Sequence, residues 1–175
     1  SVPAQPFASV SAQSQGYIGH MIQESIKNRF PEKEVVTILS MTEVDEKDPA
    51  FSNLMKPIGL FYTKEEAEEF EEQGIVMGED SGRGYRRLVP SPKPKEIVER
   101  KTIAKLLEMD TIVITSGGGG VPVIKRDGLY VGQDAVIDKD LAALSLASDI
   151  NSDVLMILTD VDNVYINYGK NNQEK

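Results

Sequence analysis

The spacing of apolar residues along the chain predicts alternating helices and strands. Four apolar residues recur at three- and four-residue intervals near the amino terminus, which is typical of one face of a helix: Ile18, Met21, Ile22 and Ile26. We therefore expect a helix over residues 11–29, ended by Pro31. The β-branched apolar run of residues 35–41 predicts a buried strand.

The same alternation returns in the second half of the chain. Helices are predicted over residues 95–109 and 138–150, and buried strands over 111–116 and 154–159. Asp127-Gly128 lies between two short apolar runs and predicts a hairpin turn. Helices that alternate with buried strands predict an α/β fold.

Residues 45–94 differ from their surroundings because they are richer in charge, glycine and proline. Thr63-Lys64-Glu65-Glu66 has the form of a capping box and predicts a helix that ends near Gly74. Short strands are predicted at 76–77 and 85–89. We interpret this region as an inserted, protruding subdomain or lid, so that residues 1–44 and 95–175 form the core domain.

Composition and charge narrow the class of protein. The chain has 175 residues, no cysteine, a net charge of −9 and a pI near 4.7. An acidic surface disfavours nucleic acids and anionic membranes as partners, and the lack of cysteine excludes disulfides and thiol chemistry. No signal peptide or apolar run of membrane-spanning length is present, which favours a cytoplasmic protein. The chain lacks an initiator Met and stops soon after a predicted strand, so we expect a fragment.

A run of four glycines is the strongest functional signal. The predicted strand 111–116 leads directly into Gly117, Gly118, Gly119 and Gly120. Glycines allow unusual backbone angles and close approach of main-chain amides, and such loops at the end of a parallel strand often face an anion. A flexible turn is the simpler alternative.

Two lysines stand near features that favour anion binding. Lys139 lies between Asp138 and Asp140 at the start of a predicted helix, where a cation is mildly unfavourable unless an anion is bound there. Lys56 precedes Pro57, which holds the local chain extended, so a lid lysine could reach across a cleft. An ordinary solvent-exposed lysine is the alternative in both cases; the functional interpretation is favoured for Lys139, whose helix follows the glycine loop by about twenty residues, whereas neither is favoured for Lys56.

Other polar clusters give weaker signals. Thr159 to Tyr165 follow a predicted strand at the position where ligands bind in open α/β sheets, but an Asx turn is an equal alternative. Arg83, Arg86 and Arg87 could grip phosphate, although pairing with the glutamate-rich lid helix is favoured. No metal site is predicted, because the single histidine excludes a histidine cluster and the Asp-x-Asp spacing lacks the rest of a calcium loop.

An ordered set of motifs over nearly the whole chain resembles carbamate kinases, which belong to the amino-acid-kinase family. The matching segments are 14–19, 48–51, 56–59, 82–87, 89–94, 117–120, 135–140 and 158–170.

The resemblance implies a three-layer αβα sandwich around a mainly parallel sheet, with a protruding inserted subdomain. It implies reversible phosphoryl transfer between ATP and carbamate, giving ADP and carbamoyl phosphate, with Mg²⁺ carried by the nucleotide. Such enzymes usually serve arginine breakdown and ATP formation, and a homodimer is also implied.

The resemblance also assigns residues. Lys139 matches the phosphoryl-transfer lysine, with Asp138 and Asp140 as organisers, and Lys56 matches the lysine that enters from the protruding subdomain. Gly117, Gly118, Gly119 and Gly120 would border carbamate and the moving phosphoryl group. Thr159, Asp160, Val161 and Tyr165 would lie near the nucleotide.

Both ends depart from the family pattern. The amino-terminal Gly-Gly-Asn loop and the carboxyl-terminal segment with further lysines have no counterpart in this sequence. Two alternatives to carbamate kinase therefore stay open: a kinase of another small carboxylate, and a non-catalytic module for binding or dimerisation.

Overall fold

The structure is a computed structural model that describes residues 5–159, 163, 165–167 and 171–175. In this part of the chain the helices are α1 (Phe7–Arg29), α2 (Lys64–Glu72), α3 (Arg100–Glu108) and α4 (Lys139–Asp149). The strands are β1 (Val35–Thr37), β2 (Met41–Val44), β3 (Lys56–Tyr62), β4 (Met77–Glu79), β5 (Tyr85–Val89), β6 (Pro94–Ile97), β7 (Ile112–Ile114), β8 (Val121–Arg126) and β9 (Leu129–Gly132).

The strands form three hydrogen-bonded sheets. A parallel pair joins β1 to β7, and a mixed sheet has the order β6-β2-β8-β9, in which β2 and β8 are parallel. A third, antiparallel sheet has the order β3-β5-β4 and lies entirely within residues 56–89. Alternating helices and parallel strands were predicted from the sequence, and the structure contains both.

The main apolar core lies between the mixed sheet and helices α3 and α4. Val44, Ile97, Ile103, Ile124 and Ile137 form one buried cluster with Ala142. Fully burying an isoleucine side chain contributes about 1.5–3 kcal/mol, so this cluster holds α4 firmly against the sheet. The start of α4 is thereby fixed relative to β2 and β8.

Residues 45–94, which the sequence predicts to be an insertion and which we call the inserted region, contain stabilising hydrogen bonds of their own. Thr63 and Glu66 form a reciprocal capping box at the start of α2, as the sequence predicts. At the base of the region, Asp48 accepts hydrogen bonds from the amides of Ala50 at 2.8 Å and Lys93 at 3.0 Å. Asp48 therefore ties together the two chain segments that enter and leave the region.

Three predicted elements are wrong in whole or in part. The run 35–41 is divided between β1 and β2, and the predicted helix 95–109 begins only at Arg100, because residues 94–97 pair with β2 as strand β6. Residues 154–159 form no strand among the described residues, and their side chains are exposed. An apolar run becomes a strand only where a neighbouring strand supplies hydrogen-bond partners.

The arginine prediction is also corrected. Arg86 lies 3.0 Å and Arg83 3.2 Å from carboxylate oxygens of Asp80, whereas the sequence favoured pairing with the glutamates of α2. The hydrogen bond from Arg86 is the main influence on Asp80, whose pKa lies below its ordinary value. Both guanidinium groups also lie about 5 Å from the centre of the Phe61 ring, at 4.9 Å for Arg83 and 5.0 Å for Arg86.

Among the described helices, none is both long and apolar enough to cross a bilayer.

Candidate active site

The glycine run forms a loop between two parallel strand pairings. Thr37 pairs with Ile114, and Met41 pairs with Val121. The three residues 38–40 therefore face the six residues 115–120, and the longer segment must loop out of the sheet. The sequence predicts an anion-binding loop at the end of a strand, and the structure places a loop there.

Two of the glycines are required by both backbone angle and space. Gly119 and Gly120 have φ values of 95° and 86°, in the region that favours glycine. A Cβ on Gly119 would lie 2.6 Å from the carbonyl oxygen of Ile137, and one on Gly120 would collide with the hydroxyl of Thr42. That hydroxyl donates a 2.6 Å hydrogen bond to the carbonyl of Gly119. The buried half of the loop is thus closely packed.

The other half of the loop is open. Gly117 and Gly118 are exposed, and within the described residues their amides donate no hydrogen bond. Free amides in a loop with left-handed backbone angles are suitable donors for an anion. The side-chain hydroxyls of Thr115 and Ser116 are buried and likewise have no hydrogen-bond partner.

Helix α4 begins beside this loop. Asp138 caps it, because its Oδ1 accepts hydrogen bonds from the amides of Asp140 at 3.0 Å and Leu141 at 3.3 Å. Lys139 follows and is 76% exposed, with its Nζ 3.6 Å from Oδ1 of Asp140. The carbonyl of Ile137, which closely approaches Gly119, lies only two residues before Lys139.

An open cavity of about 250 Å³ lies between the loop and the helix. Its lining includes Thr115 and Ser116 from the loop, Lys139 and Leu146 from α4, and Leu155. The lining residues thus combine one lysine and two hydroxyl-bearing residues with apolar side chains. The cavity can therefore accept a group that is anionic at one end.

Lys56 reaches the same place from the inserted region. Its Nζ lies 3.1 Å from Oδ2 of Asp138, although the two residues are 82 positions apart in sequence. Partial burial opposes ionisation of Asp138, but the hydrogen bond from Lys56 and the two helix amides outweigh it, so the pKa of Asp138 lies below its ordinary value. Asp138 is therefore an anion that both caps α4 and holds Lys56.

The structure brings together most of the site residues that the sequence singles out. The four glycines, Asp138, Lys139, Asp140 and Lys56 lie around one region. Thr159 is exposed, and Tyr165 is half-buried. Asp160 and Val161 lie outside the described residues. The roles assigned to all these residues stay predictions.

Sequence reasoning missed the residues that hold the loop from beneath. Gln15, Ser40 and Thr42 are buried and polar, and each contributes to hydrogen bonds at or near the loop. Gln15 belongs to a motif that supports the family resemblance. Nothing in the sequence pattern separates Ser40 and Thr42 from ordinary strand residues.

The described residues contain no group of three or more His, Cys, Asp or Glu side chains arranged to hold a metal ion.

These features define an α/β domain in which a glycine loop lies beside a helix amino terminus, with Lys139 and Lys56 at that end of the helix. The amino acid kinase family model matches residues 9–175. The chain belongs to the amino acid kinase family.

Within this family, similar curated proteins include carbamate kinases. The chain is 55% identical over 177 aligned residues to a carbamate kinase of Staphylococcus haemolyticus, with 98% of this chain and 57% of the relative covered. It is 53% identical to a carbamate kinase of Pyrococcus furiosus, with 99% and 57% covered. The chain therefore spans about 57% of the length of these relatives.

Solved structures that resemble this chain also include carbamate kinases. Carbamate kinase from Giardia lamblia bound to citric acid is 45% identical and superposes with a TM-score of 0.88, with 95% of this chain and 56% of that chain covered. The same enzyme bound to AMP-PNP gives a TM-score of 0.84, with 99% and 57% covered. The fold expected from the sequence, that of the amino acid kinases, is confirmed.

Proposed function

We propose that the chain is part of a carbamate kinase that transfers a phosphoryl group reversibly between ATP and carbamate. Relatives of that name support the reaction, and the ion pair between Lys56 and Asp138 is the structural observation that carries it. Because of this pair, the inserted region presents a cation at the start of α4, the helix whose first residue is Lys139. In such a protein, residues 45–94 act as a lid on a core made of 1–44 and 95–175.

The site suits the electrostatic demands of this reaction. Phosphoryl transfer needs alignment of the reactants and neutralisation of charge on the transferring oxygens, not a covalent nucleophile. Amides of Gly117 and Gly118 can donate to anionic oxygens, while Lys139 and Lys56 supply positive charge. Asp138 orients Lys56 and fixes the start of α4, and Asp140 limits the freedom of Lys139.

Nucleotide binding is proposed at residues 159–165, as the family resemblance implies. The AMP-PNP complex of the Giardia enzyme supports an ATP-type nucleotide as the phosphoryl donor. Mg²⁺ carried by that nucleotide would neutralise further phosphate charge. A homodimer is proposed from the family resemblance alone.

The direct test measures ADP formation from ATP with and without carbamate. It uses the 175-residue chain and, in parallel, the longest reading frame that contains it. We expect carbamate-dependent turnover, and Lys139→Ala should lower kcat by at least 100-fold, in line with the loss of a transition-state charge contact of about 2.7–4 kcal/mol. Lys101→Ala, an exposed lysine of α3, is the matched control and should have no effect.

A panel of acceptors separates this proposal from its alternatives. Turnover with another small carboxylate but not with carbamate would assign a different acid kinase. Binding without turnover in either length of protein would instead favour a non-catalytic module. Full activity of Lys139→Ala would refute the role given to that lysine.

A further inference from the structure

A buried glutamine of α1 holds the segment between β1 and β2. The side chain of Gln15 is 5% exposed, and its Nε2 donates to the carbonyl of Ser40 at 3.1 Å. Its Oε1 accepts from both the amide and the hydroxyl of Ser40, each at 3.2 Å. These three bonds fix the orientation of the glutamine amide and use most of its hydrogen-bonding capacity.

Ser40 in turn forms a hydrogen bond with Ser116, the residue before the glycines. Ser40 is fully buried, and while its hydroxyl donates to Gln15, the oxygen also accepts a 2.9 Å hydrogen bond from the amide of Ser116. A continuous chain of hydrogen bonds therefore runs from Gln15 through Ser40 to Ser116. We refer to these three residues as the relay.

The relay ends at a strained residue. Ser116 has a φ of 55°, and a residue other than glycine keeps this conformation only where its surroundings hold it. Ser116 sets the direction in which the chain leaves β7 and enters Gly117 and Gly118. The positions of the two free amides thus depend on the hydrogen bond to Ser116.

The loop has a second anchor, which does not involve α1. Thr42 donates to the carbonyl of Gly119 at 2.6 Å and holds the buried half of the loop. The exposed half follows Ser116 and is held through Ser40. The two anchors therefore act on different parts of the loop, and loss of the relay should affect the exposed half most.

We propose that Gln15 and Ser40 are positioning residues that set the geometry of the anion-binding amides of Gly117 and Gly118. This inference rests on the proposed function in one respect, because it takes the loop to bind the phosphoryl group. The relay acts before any substrate arrives. The amide of Gln15 acts through Ser40; its Cγ also lies close to Gly117, where a Cβ would be 3.4 Å away, and Gln15→Met keeps that atom.

The test uses the ¹⁵N-labelled chain, with inorganic phosphate as the anion. Phosphate is titrated while the amide resonances of the glycine loop are followed, and amide hydrogen exchange is measured in parallel. Ser40→Ala removes the central hydroxyl and Gln15→Met removes the polar end of the glutamine. Gln23→Met on α1 and Ser148→Ala on α4 are the matched controls.

We expect wild-type Gly117 and Gly118 resonances to shift with phosphate. Ser40→Ala should raise the phosphate dissociation constant about tenfold, the effect of losing one buried hydrogen bond. Gln15→Met should have a similar effect, and the double variant should be no more than about twofold weaker than Ser40→Ala. A glutamine that served stability alone would leave the phosphate affinity unchanged, and one that acted on the loop independently of Ser40 would change it by the same factor whether or not Ser40 was present.

The outcomes distinguish this inference from the proposed function. If phosphate shifts no loop resonance in the wild type, the anion site fails, and the relay is then judged by hydrogen exchange at the amide of Ser116, which donates to the Ser40 hydroxyl. Wild-type phosphate affinity and wild-type exchange in both Ser40→Ala and Gln15→Met would overturn the relay. If Ser40→Ala does not fold, Gln15→Met and its control decide the question alone.

Discussion

Asp138 has two separable functions, and substitutions can measure each of them. Its Oδ1 caps α4 and its Oδ2 pairs with Lys56. Asp138→Asn keeps a capping oxygen but removes the charge, whereas Asp138→Ala removes both. Lys56→Met removes only the ion pair. The three variants therefore divide the contribution of Asp138 into cap, charge and pair.

The magnitudes follow from exposure. The two side chains of the pair are 42% and 36% exposed, so solvent screening limits the pair to about 0.2–1 kcal/mol. Loss of negative charge at a helix amino terminus costs a further 0.3–1 kcal/mol or so. Asp138→Asn should thus lower the free energy of unfolding by about 1 kcal/mol, and Asp138→Ala by about 2 kcal/mol because the cap is also lost.

The coupling energy of the ion pair is obtained from urea unfolding of Lys56→Met, of Asp138→Asn and of the double variant Lys56→Met/Asp138→Asn. We expect a coupling of about 0.5 kcal/mol that falls as salt is added. Equal losses for Asp138→Asn and Asp138→Ala would refute the capping role. A coupling energy of zero at low salt would refute the ion pair.

The pH dependence has a definite sign. The pKa of Asp138 is lower in the folded chain than its ordinary value of 3.8, so the folded state favours the ionised carboxyl. The resulting stabilisation is present above pH 4 and is lost as the pH falls through the lowered pKa. In Asp138→Asn this part of the acid dependence should disappear.

Three further predictions concern the loop and the inserted region. Gly119→Ala should destabilise the chain by more than about 2 kcal/mol in thermal unfolding, because strain and a backbone clash combine, while Gly118→Ala, with open space around it, should cost about 1 kcal/mol. Asp48→Ala should speed hydrogen exchange throughout the inserted region while that of the core stays as in the wild type, since the two amides at its base lose their common acceptor. Thr63→Ala should lower the free energy of unfolding in urea by about 1 kcal/mol because the helix cap is lost, whereas Ser148→Ala at an exposed site should change it by less than about 0.5 kcal/mol. Equal losses for the two glycine variants, equal losses for Thr63→Ala and Ser148→Ala, or wild-type hydrogen exchange in Asp48→Ala would contradict these expectations.

Local signals predicted local structure well. The capping box at Thr63, the hairpin at Asp127-Gly128 and the start of α4 all lie where the sequence places them. Each depends on a few neighbouring residues whose preferences are set by their own backbone and side-chain hydrogen bonds. Such signals need no knowledge of distant contacts.

Errors arose where a distant partner decides the structure. Residues 94–97 have the composition of a helix start, yet Ile97 pairs with Thr42 and is fully buried in the core. Residues 154–159 have the composition of a buried strand, yet within the described residues they have no strand beside them. The presence of a partner strand therefore turns a predicted helix start into a strand, and its absence leaves a predicted strand unformed, whatever the local sequence favours.

The residues of the candidate site also fall into those that local sequence predicts and those that depend on distant contacts. Its glycines and Lys139 were predictable, because run length and helix position mark them in the sequence. The relay beneath the loop was not, since Gln15 meets Ser40 across 25 residues and Ser40 meets Ser116 across 76. Buried polar contacts of this kind depend on the packing of three separate elements.

The two lysines are not equivalent, and this follows from their carboxylate partners. Lys56 lies 3.1 Å from Asp138 and is held in place, whereas Lys139 is 3.6 Å from Asp140 and more exposed. An arriving anion must compete with Asp138 for Lys56 but meets little competition at Lys139. Of these two lysines, Lys139 is therefore the one that an anion can engage more readily. If the chain acts as proposed, engagement of Lys56 requires the anion to share or displace the carboxylate that also caps α4, and substrate binding would then be linked to the position of the inserted region.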